Sequence, residues 1–338
     1  MNTPSSASAP LLRVEDLVVS FQTDEGPIRA VDRVSFEIMP GDVLGVVGES
    51  GCGKSVTALS LLRLIPQPPG RIEQGHAWFG GRDLLTMPVK ELRSIRGREI
   101  SMIFQEPMTA LSPLHRIGRQ LVETQQFHRD IDTAAAWRVG EEWLRKVGIP
   151  DAAERMYAYP YELSGGMRQR VMIAMALMLE PKLIIADEPT TALDVTIQAQ
   201  ILDLLRAMKQ RDTAIMLITH NLGVVWEMCN RMVVMYASEI VEEGPVDTLF
   251  SRPGHPYTEA LLKANPALAA KGGKLESIPG QVPALREAPV YCRFADRCRY
   301  AIPACREAHP RLEEAGEAGR RVRCIRSSER LEAKGSAS

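Results

Sequence analysis

Apolar and polar side chains alternate along the first part of the chain with the period of two that half-buried strands have. This alternation covers residues 12–21 and 31–38, and both segments are predicted to be strands. A short apolar strand is predicted over residues 42–47, and the next segment, 56–65, has a helical pattern. Segments of strand type continue to about residue 104, so this part of the chain is predicted to be rich in strands.

The pattern changes after that point, where the strand signal stops. Residues 106–164 are predicted to form several amphipathic helices. Strands and helices then alternate again, with apolar strands predicted over 183–186 and 214–219 and a hairpin near 233–241. The sequence therefore predicts one α/β domain over residues 11–250, interrupted by the helical insert.

The two ends of the chain differ from this domain in composition. Residues 1–10 are small and polar, and they are predicted to be a disordered tail and not a signal peptide because they lack a basic start and an apolar stretch. Residues 251–338, here named the C-terminal extension, are rich in proline, glycine, arginine and cysteine and are predicted to lack a large hydrophobic core. No apolar run reaches the roughly 18–20 residues that span a bilayer. The formal net charge of −1 disfavours a nucleic-acid partner that is bound through bulk charge, and it leaves a local basic patch open.

A glycine-rich segment after the predicted strand at 42–47 matches the pattern G-x-x-x-x-G-K-[ST]. Glycines let such a loop wrap closely around phosphate, so that backbone N–H groups and the positive end of the next helix face the anion. The lysine supplies charge for the β- and γ-phosphates, and the serine hydroxyl binds Mg²⁺. The predicted nucleotide-binding residues are Gly48, Glu49, Ser50, Gly51, Cys52, Gly53, Lys54 and Ser55.

Two acidic residues end the predicted strand at 183–186. Asp187 is predicted to hold Mg²⁺ through its water shell, and Glu188 is predicted to polarise the water that attacks the γ-phosphate. The alternative is an ordinary strand that ends in solvated acids, and the phosphate loop upstream favours the catalytic interpretation. His220 follows the predicted strand at 214–219, where it can meet the γ-phosphate, although a lone histidine after a strand is usually structural.

Residues 163–170 have the sequence Leu-Ser-Gly-Gly-Met-Arg-Gln-Arg and lie shortly before the acidic pair. This segment resembles the signature loop of ABC ATPases, in which two ATPase domains pair and each signature closes over the ATP on the other domain's phosphate loop. By that resemblance Ser164, Gly165, Gly166 and Met167 contact the partner's ATP. Met167 departs from the family's commonest signature, which has glutamine at this position.

Other segments resemble the remaining motifs of the ABC family. Gln105 resembles the glutamine that touches Mg²⁺ and the water while it links the core to the helical insert. Asp194 resembles the aspartate of the D-loop, which communicates across the dimer, and His220 resembles the switch histidine. Phe21, near the end of the first predicted strand, is the aromatic residue predicted to stack on adenine.

The resemblance implies ATP hydrolysis with ATP and Mg²⁺ as cofactors. The catalytic residues that it implies are Glu188, His220 and Gln105, and the implied Mg²⁺ ligands are Ser55, Gln105 and Asp187. The implied fold is α/β, a P-loop NTPase (RecA-like) core with an antiparallel β subdomain, a helical insert and a cysteine-containing extension.

A narrower resemblance covers residues 104–120, 164–177 and 187–202, together with the segments 254–262 and 278–280 of the C-terminal extension. These segments are similar to the ATPase subunits of bacterial dipeptide and oligopeptide importers, a group that includes nickel importers. The resemblance implies a second ABC ATPase subunit that is a distinct paralogue, two transmembrane permease subunits, an extracytoplasmic solute-binding protein and no nucleic acid. It also implies a peripheral location on the cytoplasmic face of the inner membrane.

Four of the six cysteines lie in the C-terminal extension: Cys292, Cys298, Cys305 and Cys324. Their spacing matches neither the short-spaced zinc sites nor ferredoxins, so spacing alone leaves the metal open. The importer resemblance implies that they are ligands of a [4Fe–4S] cluster, with zinc or no metal as alternatives. The arginines interspersed among them would offset the charge of a cluster or form a solvated face; they are Arg293, Arg297, Arg299 and Arg306.

The function predicted from these features is ATP hydrolysis that powers uptake of dipeptides or oligopeptides through partner permeases. One alternative is an importer ATPase for nickel or another small solute. The other is an ABC-class ATPase outside transport, such as a soluble protein of DNA repair or translation or a regulatory module whose ATP site acts only as a switch. The long coiled-coil insertions or second core that the soluble proteins usually carry are not seen in the sequence, and the complete set of catalytic motifs disfavours a pure switch.

Overall fold

A computed structural model describes residues 9–106, 110–190, 195–209, 212–265, 277–283, 285–286, 289–316 and 319–327. The chain divides into two compact units. The first unit comprises Met1–Met87 and Leu217–Ser338, and the second comprises Pro88–Met216. This division does not follow the predicted domain boundaries, which stay a prediction, and most of the predicted tail lies outside the described residues.

Strands and helices are mixed along the chain, as in an α/β protein. The strands are β1 (Leu12–Thr23), β2 (Gly26–Ile38), β3 (Val43–Val47), β4 (Gly70–Phe79), β5 (Arg82–Asp83), β6 (Ile100–Ile103), β7 (Leu183–Asp187), β8 (Ala214–Ile218), β9 (Arg231–Tyr236), β10 (Glu239–Pro245), β11 (Glu313–Glu314) and β12 (Arg321–Val322). The helices are α1 (Lys54–Leu61), α2 (Val89–Ile95), α3 (Ile117–Gln126), α4 (Thr133–Lys146), α5 (Ala152–Arg155), α6 (Gly165–Leu177), α7 (Val195–Met208), α8 (Leu222–Met228), α9 (Val246–Ser251) and α10 (Pro256–Lys263).

The first unit contains an antiparallel sheet with the strand order β2-β1-β4-β5. β1 and β2 form a hairpin in which Leu12 pairs with Ile38 and Thr23 pairs with Gly26. The inward side chains Leu12, Val14 and Val19 are at most 1% exposed. Burial alternates from Leu12 to Val14, whereas residues 17–20 are all buried because the register of β1 shifts after Val14. The two predicted strands are confirmed and are longer than the alternation indicated.

A second set of strands in the first unit has the order β11-β12-β10-β9-β3. β3 runs parallel to β9, and its side chains from Leu44 to Val47 are buried, because parallel strands are usually covered on both faces. β9 and β10 form the predicted hairpin, with Glu239 paired to Tyr236. On its other side β10 pairs with β12, where Glu242 lies opposite Val322.

The C-terminal extension is attached to β10 by the carboxylate of Glu242, which is 0% exposed. Glu242 accepts hydrogen bonds from the backbone N–H groups of Gly254, at 2.8 Å, and His255, at 2.9 Å, and it pairs with Arg320 at 2.8 Å. His255 in turn caps α10 by accepting the N–H of Tyr257 at 3.0 Å. Short segments therefore hold the extension through buried polar contacts, in agreement with its weak hydrophobic periodicity.

The second unit contains the parallel pair of β6 and β7 and the helices α2 to α7. In this pair Ile100 lies opposite Leu183 and Ile103 lies opposite Ala186. The side-chain amide of Gln125 on α3 donates to the backbone carbonyl of Ala136 on α4 at 2.8 Å and joins the two helices. Helices are the regular elements between residues 110 and 163, as the sequence predicted for the described part of the insert.

The division between the units falls within β8. In the second unit, the N–H of Ala214 donates to the carbonyl of Lys182 at 2.9 Å, which places the beginning of β8 beside the beginning of β7. In the first unit, the N–H of Thr219 donates to the carbonyl of Val46 at 3.3 Å, which places the residue after β8 beside β3. Within the described residues, no helix combines the length and apolar composition needed to cross a bilayer.

Candidate functional site

The glycine-rich segment lies between a strand and a helix, as its proposed chemistry requires. β3 ends at Val47, the loop runs from Gly48 to Gly53, and α1 begins at Lys54. The predicted order of strand, loop and helix is therefore confirmed, although α1 begins earlier and ends earlier than the pattern of residues 56–65 indicated. The N–H groups of the first turn of α1 face the loop, and such groups bind anions.

Two glycines of the loop cannot carry a side chain. Gly48 has a φ of +153°, and a Cβ atom there would lie 2.2 Å from the carbonyl oxygen of Met235 on β9. Gly53 has a φ of +102°, and its Cβ would lie 2.3 Å from the carbonyl oxygen of Ala30 on β2. The loop is thus packed against two strands of the first unit, and its path is set by backbone contacts at both ends.

Lys54 and Cys52 lie on the inner side of the loop. The ammonium group of Lys54, whose residue is 6% exposed, donates to the carbonyls of Gly48 at 2.8 Å and Glu49 at 2.9 Å. Cys52 is 0% exposed, and burial raises the pKa of its thiol. Cys52 therefore serves as a small packing residue of the loop, and the lysine is held where a loop-bound phosphate would meet its charge.

The C-terminal extension contacts the same loop, which the sequence did not predict. The N–H of Glu49 donates to the phenol oxygen of Tyr257 at 2.8 Å. The guanidinium of Arg297 donates to both carboxylate oxygens of Glu49, at 2.8 and 2.9 Å. These hydrogen bonds raise the pKa of Arg297 above its ordinary value, and burial raises the pKa of Tyr257.

His220 is exposed and lies in the first unit, two residues after the end of β8. The bond between Thr219 and Val46 places it beside the end of β3, from which the phosphate loop leaves. The hydroxyl of Thr219 also accepts the N–H of Asn221 at 3.0 Å, and Asn221 caps α8, so the backbone on both sides of His220 is fixed. The predicted switch role of His220 stays a prediction.

Phe21 is half-buried near the end of β1, where it pairs with Ile28 of β2 and Gly70 of β4. A Cβ at Gly70 would lie 2.9 Å from the ring of Phe21, so the ring packs on that backbone. The contacts of Phe21 therefore belong to the antiparallel sheet. Its stacking on adenine stays a prediction.

In the second unit, the ends of β6 and β7 bring Gln105 and Glu188 together. The two strands are parallel, so their carboxyl ends lie at the same edge. The amide nitrogen of Gln105 donates to a carboxylate oxygen of Glu188 at 3.3 Å. Asp187, the last residue of β7, is 4% exposed, and Glu188 has a φ of +45°, which turns the chain sharply after the strand.

The signature segment begins α6 in the same unit. The hydroxyl of Ser164 accepts the N–H of Met167 at 3.3 Å and caps the helix, while Ser164 and Gly165 are exposed. Gln169 on this helix is 2% exposed, and its amide donates to the carbonyl of Pro189 at 2.5 Å. Gln169 thereby ties α6 to the residue after Glu188. The signature segment contains Gln169, but its sequence does not indicate this contact with residue 189.

One predicted site residue lies outside the described residues. Asp194, the proposed D-loop aspartate, falls within residues 191–194, and its role stays a prediction.

The four cysteines of the extension approach one another in the first unit. The N–H of Cys292 donates to the carbonyl of Cys305 at 3.1 Å. Burial raises the pKa of the Cys292 thiol to about 12, and negative charge on the other three thiols adds to the rise. No disulfide links any of the six cysteines, all of which lie in described residues. No group of three or more His, Cys, Asp or Glu at the spacing of metal ligands occurs among the described residues, so this finding does not support the predicted [4Fe–4S] site.

Two of the four arginines around the cysteines are buried, although a solvated face was one of the two expectations. Arg293 and Arg297 have side chains only 3% and 7% exposed, and they pair with Asp32 and Glu49. The two more exposed arginines pair with carboxylates as well, Arg299 with Glu259 and Arg306 with Asp296. Sequence could not predict these pairs because Asp32 and Glu49 lie more than 240 residues before their partners.

These features are the parts of an ABC-type ATPase. They are a phosphate loop after a parallel strand, a glutamine bonded to a glutamate at the ends of two further strands, and a capped helix that starts with Ser-Gly-Gly. Residues 31–191 match the family model described as ABC transporter. Residues 241–305 match the model described as oligopeptide/dipeptide transporter, C-terminal region.

Curated relatives match along almost the whole chain. A probable peptide ABC transporter ATP-binding protein of Sinorhizobium fredii is 52% identical over 94% of this chain and 96% of its own length. The oligopeptide transport ATP-binding protein OppD of Salmonella typhimurium is 48% identical over 95% of each chain. The dipeptide transport ATP-binding protein DppD of Escherichia coli is 46% identical over 93% of this chain and 96% of its own length.

Solved structures agree on the fold. A dimeric ATP-binding cassette in a post-hydrolysis state with ADP and phosphate matches with a TM-score of 0.62 at 24% identity, over 70% of this chain and 98% of that chain. The chain belongs to the ABC transporter family, in the group of ATP-binding proteins that carry the oligopeptide/dipeptide transporter C-terminal region.

Proposed function

We propose that this chain is the ATP-hydrolysing subunit of an importer that takes up dipeptides or oligopeptides. The observation that carries the proposal is the presence, in one chain, of the parts of an ABC ATPase and of the C-terminal region of oligopeptide and dipeptide transporters. Relatives that are 46–52% identical bear names of peptide transport ATP-binding proteins. The alternatives, nickel import or an ATPase outside transport, have no such support.

The proposed roles of individual residues follow from their local settings. Glu188 is the base that polarises the attacking water. The amide of Gln105 donates to a carboxylate oxygen of Glu188 at 3.3 Å and orients that carboxylate. Lys54 binds the β- and γ-phosphates, and His220 contacts the γ-phosphate. Three oxygen-bearing side chains are the proposed Mg²⁺ ligands: Ser55, Gln105 and Asp187.

The proposed assembly is a dimer of ATPase subunits with two permeases and an extracytoplasmic solute-binding protein. In it, Ser164 and Gly165 at the exposed start of α6 contact the ATP of the partner ATPase, and Asp194 communicates across the dimer. The permeases hold the chain on the cytoplasmic face of the inner membrane. The helical insert transmits closure of the ATPase dimer to them, and hydrolysis resets the assembly.

The cysteines remain the proposed ligands of a [4Fe–4S] cluster. Four thiols approach one another and thiolates are the ligands that iron–sulfur clusters use, but among the described residues the thiols do not stand at the spacing of metal ligands. A bound cluster would supply a rigid cross-link of the extension. Iron and sulfide analysis of anaerobically purified protein tests this, and a colourless protein that contains zinc or no metal would refute it.

The function is tested by disrupting the gene in its host and following uptake of labelled peptides and of labelled nickel. Peptide uptake should be lost and then restored by the wild-type gene, but not by a gene that encodes Glu188→Gln. Loss of nickel uptake with unchanged peptide uptake would favour the nickel alternative and refute this proposal.

A further inference from the structure

An acidic side chain stands in a loop whose proposed ligand is a polyphosphate. Glu49 follows the first glycine of the phosphate loop, and its side chain is 29% exposed. A carboxylate near bound phosphate groups repels them, and the repulsion is strong where water screens it poorly. The loop therefore needs a partner that neutralises Glu49 if it is to bind nucleotide well.

Arg297 supplies that partner from the C-terminal extension. It makes two hydrogen bonds to Glu49, and a bidentate pair of this kind fixes geometry as well as charge. Its own position is fixed, since its Nε donates to the carbonyl of Pro279 at 2.7 Å and its guanidinium lies 5.6 Å from the ring centroid of Tyr236. The charge that faces Glu49 is thus held in one place.

Tyr257 fixes the backbone of the same residue. Its phenol oxygen accepts the N–H of Glu49 at 2.8 Å, and the whole residue is 0% exposed. Its ring packs on Tyr236 at 4.7 Å and on Phe294 at 5.4 Å between centroids. The extension therefore holds both the side chain and the backbone of Glu49, while β9 and β2 pack against the two ends of the loop.

We propose that Arg297 and Tyr257 are positioning residues for nucleotide binding. Arg297 neutralises Glu49 and Tyr257 sets its backbone, so the extension adjusts the affinity of the phosphate loop for ATP. By linkage, bound nucleotide stabilises the contacts of the extension in return. The inference rests on the proposed ATPase function, but it does not depend on which solute is transported.

The test measures the dissociation constant of the full chain for a fluorescent ATP analogue with Mg²⁺. Arg297→Met should raise it about tenfold, because Glu49 is left with its charge uncompensated beside the phosphates. Adding Glu49→Gln to Arg297→Met should return it to within about threefold of the wild-type value, because the repelling charge is then gone. Tyr257→Phe should raise it by about threefold, because one N–H of the loop loses its acceptor.

Arg299→Met is the matched control. Arg299 lies two residues further on, is 48% exposed and pairs with Glu259 at 3.0 Å, so its replacement should leave the dissociation constant unchanged. If Arg297 only anchored the extension, Arg297→Met with Glu49→Gln would bind no better than Arg297→Met alone, and that result would overturn the proposal. Unchanged binding in both Arg297→Met and Tyr257→Phe would overturn it as well. If the variants show the expected dissociation constants but the wild-type chain supports no peptide uptake, only the importer function is refuted.

Discussion

Arg293 joins the C-terminal extension to three parts of the first unit, so Arg293→Met should destabilise the fold strongly. Its guanidinium donates to the carbonyl of Ala237 at 2.6 Å, pairs with Asp32 and lies 3.5 Å from a carboxylate oxygen of Glu239. All of these side chains are less than 10% exposed. Methionine has a similar length but neither charge nor donors, so the change isolates the polar contacts.

The size of the stability loss in Arg293→Met depends on the charged partners that Asp32 and Glu239 retain. Removing one partner of a buried ion pair costs about 3–5 kcal/mol, because the other charge stays buried. Asp32 keeps Arg29 at 3.2 Å, and Glu239 keeps His309 at 2.9 Å and Arg323 at 3.7 Å. We therefore expect about 3 kcal/mol, the lower end of that range, which is a large part of the roughly 5–15 kcal/mol that stabilises a typical protein.

The assay is urea unfolding of the full chain, followed by circular dichroism and by limited proteolysis of the extension. Arg306→Met is the matched control, because Arg306 and Asp296 are 54% and 67% exposed and exposed pairs contribute about 0–1 kcal/mol. Combining Arg293→Met with Asp32→Asn should recover part of the loss, because the buried charge is removed with its partner. A loss below about 1 kcal/mol, equal to that of Arg306→Met, would refute the reasoning.

Three further predictions concern single residues. Gly48→Ala should abolish nucleotide binding measured by titration, because the new Cβ would lie 2.2 Å from the carbonyl oxygen of Met235; near-normal affinity would contradict the packing of the loop. Glu188→Gln should lower the ATPase rate of the assembled transporter by about a hundredfold or more while ATP stays bound, and a normal rate would exclude Glu188 as the base. Burial raises the pKa of the Cys229 thiol from 9.0 to about 12. Between pH 9 and 12 the folded chain thus keeps a proton that the unfolded chain has lost. The free energy of unfolding should therefore fall as pH rises over this range. Cys229→Ala should reduce this slope, and an identical slope in the variant would contradict the assignment.

Local pattern sufficed to predict the elements around the phosphate loop. β3 and β7 are short, apolar and buried, and both were expected from runs of aliphatic residues. β4 was not predicted, because its middle residues Glu73, Gln74 and Gly75 break the alternation of apolar and polar positions. β11 and β12 have two residues each, too few to show any period.

The residues of the candidate site also divide into those that a local sequence pattern indicates and those that it does not. Motif residues such as Lys54 and Glu188 stand in contiguous patterns, and contiguous patterns can be seen in a sequence. The contacts of Glu49 with Tyr257 and Arg297 span 208 and 248 residues, and no local pattern indicates that an extension folds back that far. Long-range pairing of this kind depends on the tertiary fold and appears only in the structure.

The pairing of β10 with β12 has a consequence for synthesis of the chain on the ribosome. β9 and β10 are complete once residue 245 has been made, but the strand that covers the outer edge of β10 lies at residues 321–322. Until residues 321–322 leave the ribosome, that edge presents unpaired backbone groups to other nascent chains. A chain that ends after α9 would leave that edge of β10 unpaired. Aggregation of such a chain would therefore result from the missing strand β12 and not from a defect in the ATPase core.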